Sequence, residues 1–130
     1  MTVDLQAMQS LVDGSAFGRW WGLVVDSVEP ARVRLPMRAE LLRPGDVMHG
    51  GCAVVAADVA VWVALSVRVP GGERALTVHL ATDYLAPARG DLVAEARLLK
   101  IGKRLAFASA ETRTLDGTLV AVHQLTYAFP

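Results

Sequence analysis

The sequence offers little for covalent cross-links, metal binding or a charged surface. Cys52 is its single cysteine, so no disulfide can form within the chain, and the three histidines are not paired with cysteines at the spacings of zinc sites. Its 13 basic and 13 acidic side chains give a formal net charge of zero. That balance leaves no basic surface for nucleic acid or an anionic membrane. We therefore expect neither partner, no metal, and a location in the reducing cytoplasm.

The N-terminal segment also lacks the basic residues of a secretory signal and carries the acidic Asp4 instead. The 130 residues, 53% of them hydrophobic, are enough for one domain with a substantial core and too few for two. We therefore predict a single domain over residues 1–130.

The most unusual segment is the apolar run from Gly51 to Val67, in which Asp58 is the one charged residue. A helix of this composition has no polar face and is expected to be buried on all sides. A membrane span is the alternative, but a bilayer requires about 20 apolar residues and a central Asp costs roughly 3 kcal/mol there. We interpret the segment as the central helix of a soluble domain.

The remaining segments predict one short helix and six strands. Apolar residues recur at helical spacing over residues 4–13, and the aromatic residues of 17–21 then lead into a hairpin whose turn is Glu29-Pro30-Ala31-Arg32. Four further segments are rich in strand-forming residues, and their short separators predict an antiparallel meander. These four segments are 75–85, 92–100, 105–114 and 119–128.

Six antiparallel strands and one apolar helix have one economical arrangement, in which the sheet curls around the helix. This arrangement is the α+β hotdog fold. A single sheet covers only one side of its helix, so a second copy of the chain is expected to cover the other side in a homodimer.

Asp58 is the first candidate for chemistry, because a carboxylate in apolar surroundings is costly unless it is paired and therefore suits a catalytic acid or base. The alternative is a structural carboxylate that caps the backbone of a neighbouring chain or pairs with an arginine. His49-Gly50-Gly51 leads into the helix, where the two glycine N–H groups are expected to be unpaired and able to receive an oxyanion. Seven residues separate Gly51 from Asp58, roughly 10 Å along the axis, which favours a site shared between two antiparallel helices.

An ordered set of motifs resembles the hotdog thioesterases of the phenylacetic acid degradation (PaaI) type, from about Leu42 to the C-terminus. The motifs are His49-Gly50-Gly51, Asp58 nine residues after the histidine, Thr77-Val78, Tyr84-Leu85-Ala86-Pro87-Ala88, Gly90-Asp91 and the segment 98–106. The order of the whole set is far more specific than any one motif.

The resemblance implies hydrolysis of acyl-CoA thioesters, with Asp58 as base or nucleophile and the Gly51 N–H polarising the carbonyl. It implies that Thr77 helps to orient the attacking water, while Arg43 replaces the asparagine that is frequent in relatives six residues before the histidine. Coenzyme A would belong to the substrate, so no other cofactor is expected. The resemblance also implies that dimers pair into a homotetramer.

Several polar side chains have both a functional and a structural interpretation. Lys103 and Arg104, in a tight turn, and Arg89 could bind the phosphates of CoA or be solvated. His49 could contact substrate or order its loop, and His79 could line the pocket, since it follows Thr77 by two positions on one strand, or be solvated. Trp62 and Cys52 could shape the pocket or pack in the core, and His123 is assigned to the outer face.

Two other functions remain open from the sequence. A non-catalytic acyl-CoA-binding domain would keep the fold without the chemistry, and a hotdog dehydratase or hydratase would need a histidine to work with Asp58. The acyl group is also open between arylacetyl, medium-chain and branched types. The helix residues that promise an apolar pocket for it are Val54, Val55, Val61, Trp62 and Leu65.

Overall fold

The computed structural model describes residues 5–130, and the predicted N-terminal helix is present as α1, Leu5–Asp13. Asp4, the first residue of that prediction, lies outside the described residues. Met8 and Val12 are buried on one face of α1, as their helical spacing requires.

A second helix, α2, spans Ala16–Trp21, where we expected only a lead into the hairpin. It packs closely on α1, since a Cβ on Gly18 would lie 2.2 Å from the carbonyl oxygen of Val12. Gly22 ends α2 in the left-handed conformation at φ 72°, a geometry that favours glycine. The prediction missed α2 because six residues are too few to show helical periodicity.

The other elements match the predicted segments to within a few residues. The strands of the main sheet are β1 Val24–Val28, β2 Ala31–Leu35, β5 Leu76–Tyr84, β6 Leu92–Ile101, β7 Leu105–Thr114 and β8 Leu119–Ala128. A small separate ladder joins β3 Leu42–Arg43 to β4 Val47–Met48, and the long helix α3 spans Gly51–Arg68. Short 3-10 helices occupy Ala39–Leu41 and Gly72–Arg74.

The six strands are all antiparallel in the order β1-β2-β6-β7-β8-β5, which corrects the predicted four-strand meander. Of the four C-terminal strands, only β6, β7 and β8 are neighbours in chain order, whereas β5 pairs with β8 at the edge of the sheet. The connection 85–91 does not turn directly from β5 into β6 but passes the start of α3, where the Ala88 carbonyl accepts a hydrogen bond from the Met48 N–H at 3.0 Å. Spacing alone does not distinguish a hairpin from a connection of this length.

The helix α3 lies across one face of the sheet and contacts all six strands, so the sheet wraps around it as predicted. Alanines fill the inner face of β6 and β7 and leave room for the helix. Within residues 5–130, α3 is the one helix long and apolar enough to cross a membrane, but more than half of it is buried inside the protein.

One stripe of α3 stays partly exposed in the single chain, as expected for a helix that one sheet covers from one side. This uncovered stripe is defined by Gly51, Val54, Val55, Asp58 and Trp62. It carries the helix carboxylate in its middle.

His123 is buried on the inner face of the sheet, and its assignment to the outer face was wrong. Tyr127 faces α3, and two-residue steps back along β8 bring Leu125 and His123 to the same face. Both ring nitrogens have hydroxyl partners, Thr82 Oγ1 at 2.8 Å from Nδ1 and Thr112 Oγ1 at 2.7 Å from Nε2. Burial lowers the pKa of His123 from 6.5 to about 4.

We expect this histidine to make the fold acid-sensitive. Because the folded protein binds the proton less readily than the unfolded chain, the stabilisation is complete above pH 6.5 and is lost as the pH falls toward 4. The free energy of unfolding from urea titrations should drop by about 2 kcal/mol between pH 7 and pH 5. The His79→Asn variant, which alters an exposed histidine, should keep this dependence. Retention of the same dependence in His123→Asn would contradict the assignment.

Candidate active site

The Asp58 carboxylate is held by two hydroxyl groups from neighbouring strands. Its Oδ1 atom accepts a hydrogen bond from Thr77 Oγ1 at 2.8 Å and another from Tyr127 Oη at 2.6 Å. Thr77 on β5 lies directly opposite Tyr127 on β8, so the sheet register brings both hydroxyls to the same point of α3. Within residues 5–130, the partners of the Asp58 carboxylate are therefore hydroxyl groups and not an arginine.

Tyr127 is a site residue that the sequence analysis missed. Its side chain is 3% exposed, and burial together with the nearby Asp58 charge raises the pKa of its phenol. The hydroxyl consequently stays protonated and remains a donor. The inward alternation of β8 could have placed Tyr127 near the helix, but nothing in the sequence shows which helix residue it meets.

The Asp58 side chain lines a mostly apolar cavity of about 190 Å³. Trp62, one turn along α3, forms part of its wall, and the indole N–H donates to the Glu73 carbonyl at 2.9 Å. Phe17 from α2 faces this indole with 6.0 Å between ring centroids. The other lining residues are Val59, Ala75, Leu76, Thr77 and Tyr127.

Of the two residues with a pocket or core interpretation, Trp62 lines this cavity and Cys52 does not. The Cys52 side chain is fully buried, and burial raises the pKa of its thiol to about 11. A thiol with this pKa is protonated at neutral pH and is not a nucleophile. Val61 and Leu65 are likewise core residues with no exposure.

The start of α3 forms a second cavity, separate from the Asp58 cavity. The Gly51 N–H donates to Nδ1 of His49 at 3.1 Å, so the expectation that it is unpaired is wrong. The reason is local, because the imidazole folds back over the first turn and caps it. The Gly50 N–H, by contrast, makes no hydrogen bond within residues 5–130, and the Gly50 carbonyl accepts one from Tyr84 Oη at 2.6 Å. The other residues around this cavity include Ala86, Pro87 and Ala88.

The predicted site residues thus form two groups in one chain. Asp58 is together with Thr77, and His49 is together with Gly50 and Gly51. Asp58 lies seven positions after Gly51, which places the groups roughly 10 Å apart along α3.

Two predicted neighbours of the site lie apart from the carboxylate. A β-bulge after Thr77 pairs His79 with Thr126, the residue next to Tyr127, and therefore turns His79 to the outer face. His79 is exposed there, as the solvated interpretation required. Arg43 is an exposed residue of β3 and pairs with Val47.

The three basic residues proposed for phosphate binding are exposed and lie at opposite ends of the molecule. Arg89 directly follows Ala88, which lines the cavity at the start of α3, and the Arg89 Nη1 atom lies 3.5 Å from the Gly45 carbonyl oxygen. Lys103 and Arg104 form the β6–β7 turn, where the Arg104 carbonyl accepts from the Phe129 N–H at 2.9 Å, two residues beyond Tyr127. One end is close to the helix start, and the other is close to Asp58.

A six-stranded antiparallel sheet wrapped around one central helix is the hotdog fold. Residues 45–121 match the family model described as the thioesterase superfamily. This chain therefore belongs to the thioesterase superfamily, as the motif resemblance predicted. In general terms it is a thioester hydrolase.

Individual relatives agree with this family. A Halobacterium salinarum protein that is provisionally named as an esterase is 33% identical, with 88% of this chain and 85% of that protein covered. The structure of a conserved protein from Pseudomonas aeruginosa is 36% identical, covers 88% of this chain and 93% of its own, and superposes with a TM-score of 0.79. The structure of a mutant phenylacetic acid degradation protein PaaI from Thermus thermophilus is 28% identical. It covers 89% of this chain and 100% of its own, and superposes with a TM-score of 0.78.

Proposed function

We propose that the protein hydrolyses acyl-CoA thioesters at two equivalent sites of a homodimer. Each site combines Asp58 of one chain with the glycine donors at the start of α3 in the other. The observation that carries the proposal is the Asp58 carboxylate itself, which two hydroxyls hold at the opening of an apolar cavity. A fixed carboxylate beside an apolar pocket suits an acyl group and a reaction at its carbonyl carbon.

Two features support a second copy of the chain as the missing half of the site. The uncovered stripe of α3 is apolar apart from Asp58, so leaving it in water is unfavourable. The edge strand β5 also has exposed apolar residues, among them Leu76 and Val78, next to Thr77. A twofold partner that covers both would bring its own helix start toward Asp58.

In the proposed reaction, Asp58 either removes a proton from the attacking water or attacks the carbonyl carbon itself to form a mixed anhydride that water then hydrolyses. On either route the C–S bond breaks, and the CoA thiolate leaves and takes up the proton that the water gives up. The carbonyl oxygen, which becomes negative, is received by the N–H groups of the partner's Gly50 and Gly51. The Gly50 donor is already available, whereas the His49 ring must turn away from Gly51. Thr77 donates a hydrogen bond to Asp58 and so helps to orient the carboxylate, and its oxygen can still accept a hydrogen bond from the attacking water.

The same arrangement gives the basic residues a common ligand. In each chain, Arg89 lies near the start of α3, whereas Lys103 and Arg104 lie nearer to Asp58. Two antiparallel chains would bring these ends together around one site. We propose that they contact the phosphates of the CoA part of the substrate.

We expect the purified protein to release free CoA from at least one member of a panel of arylacetyl-, branched- and medium-chain acyl-CoA esters. Thiol release measured with Ellman's reagent checks this, and the apolar cavity predicts slower turnover of acetyl-CoA than of larger esters. Binding of these esters without thiol release would identify a binding domain instead. Hydration of an enoyl-CoA without thiol release would identify a hydratase.

A further inference from the structure

The two oxygens of the Asp58 carboxylate have different surroundings. Both hydroxyl donors are bound to Oδ1, and no donor within residues 5–130 is bound to Oδ2. A carboxylate held in this way presents one oxygen with a free set of lone pairs. The oxygen that meets water or substrate is therefore Oδ2.

Of the two donors, Tyr127 is the more firmly held. Its strand pairs on both sides, with Ala106 on β7 and with Thr77 on β5, and its side chain is buried. Thr77 is exposed, lies on the edge strand and borders the β-bulge. An edge position beside a bulge is the less rigid of the two supports.

Tyr127 also ties the Asp58 side chain to its own backbone. The phenol oxygen is 2.6 Å from Oδ1 and 2.8 Å from the main-chain oxygen of Asp58, so a single group contacts both ends of the residue. This double contact restricts rotation of the Asp58 side chain relative to α3. The Tyr127 hydroxyl can make both contacts as one three-centre hydrogen bond, in which a single hydrogen is shared between Oδ1 and the main-chain oxygen of Asp58.

We propose that Tyr127 is a positioning residue for thioester hydrolysis, which fixes Asp58 with Oδ2 toward the substrate and stabilises the ionised carboxylate. The inference rests on the proposed function of Asp58. Tyr127 lines the cavity, but the role assigned to its hydroxyl acts through Asp58. Its effect should therefore appear in the turnover number and in the pH dependence rather than in substrate binding.

The test is the Tyr127→Phe variant, which removes only the hydroxyl. We expect kcat for the best acyl-CoA of the panel to fall roughly 10- to 100-fold, the effect of losing one hydrogen bond to a charged group, with KM nearly unchanged. The acid limb of the kcat profile should move to higher pH, because the charged carboxylate loses a donor. A merely structural role of Tyr127 would not move that limb.

The matched control is Thr112→Val, which removes a buried hydroxyl that is bound to His123 and not to Asp58. It should lose stability while keeping the native pH profile. A Tyr127→Phe protein that is folded and has the native kcat and pH profile overturns the inference. If the native protein is active and Asp58→Asn is not, that result leaves the proposed function intact.

A second measurement keeps the inference testable if Tyr127→Phe does not fold. In a Tyr84→Phe background, Tyr127 is the one tyrosine left and can be replaced by 3-fluorotyrosine during expression. The more acidic phenol is a stronger donor, so the acid limb should move to lower pH than in the unlabelled background. An unchanged limb would overturn the proposed role.

Discussion

The Asp58→Asn variant is expected to lose acyl-CoA hydrolysis by about 10³-fold or more while it remains folded. The amide has the shape of the carboxylate, and its oxygen can still accept hydrogen bonds from Thr77 and Tyr127, so the local structure should persist. It can neither take a proton from water nor attack the thioester. The effect should appear in kcat, with KM for the acyl-CoA little changed.

Thiol release by the native and variant proteins at equal concentration measures this loss, and circular dichroism checks the fold. The matched control is Asp26→Asn, since Asp26 is an exposed carboxylate of β1 that pairs with Arg34 at 3.1 Å. Removing a surface ion pair of this kind changes stability by less than about 1 kcal/mol and should leave turnover unchanged. Native turnover in a folded Asp58→Asn protein would exclude Asp58 as base or nucleophile.

Two inactive variants are expected to restore activity when they share a dimer, because each proposed site takes Asp58 and the glycine donors from different chains. Gly50→Pro supplies the second variant, since proline removes the N–H and matches the Gly50 φ of −59°. The Tyr84 side chain must shift by a few tenths of an ångström, because a Cβ on residue 50 would lie 3.0 Å from its Oη atom. On its own it should lose roughly 10²-fold or more in kcat through loss of an oxyanion donor. A heterodimer of Gly50→Pro and Asp58→Asn has one intact site, in which both native groups meet.

Random pairing makes half of the dimers mixed, each with one of two sites intact, so co-expression should recover roughly a quarter of native activity. Co-expression with differently tagged chains, followed by the thiol assay, measures this recovery. The control pairs Asp58→Asn with the double variant carrying both substitutions, which leaves no intact site in any dimer. Tagged mixed dimers without activity would show that the site is formed within one chain.

Much of the fold could be predicted from the residues in order. The uninterrupted apolar run of α3 required a covering sheet, and the alternating segments of the C-terminal half supplied its strands with nearly the observed bounds. The pairing order was not predictable in full, because β5 could turn into β6 or cross to β8 with the same connection. Helix α2 was not predicted because its six residues are too few to show helical periodicity of apolar positions.

The candidate site was predictable only in part, for a related reason. Asp58 was conspicuous as a lone charge in an apolar segment, and Thr77 was marked by its motif. Tyr127 was not predicted as a site residue, because its contact with Asp58 depends on the strand register that places it opposite Thr77. His123 shows the opposite error, because it lies on the inner and not the outer face of its strand. For His79, the β-bulge after Thr77 decided between the two open interpretations.

The sequence by itself determined the elements, the family and the unusual carboxylate, since these depend on composition and on short-range patterns along the chain. The tertiary structure alone decided which oxygen of Asp58 is bound, which glycine donor is capped by His49, and that the two groups occupy separate cavities. The contacts of Asp58 join residues far apart in the chain through the pairing of Thr77 with Tyr127. A one-residue change in register would turn either side chain to the other face of the sheet.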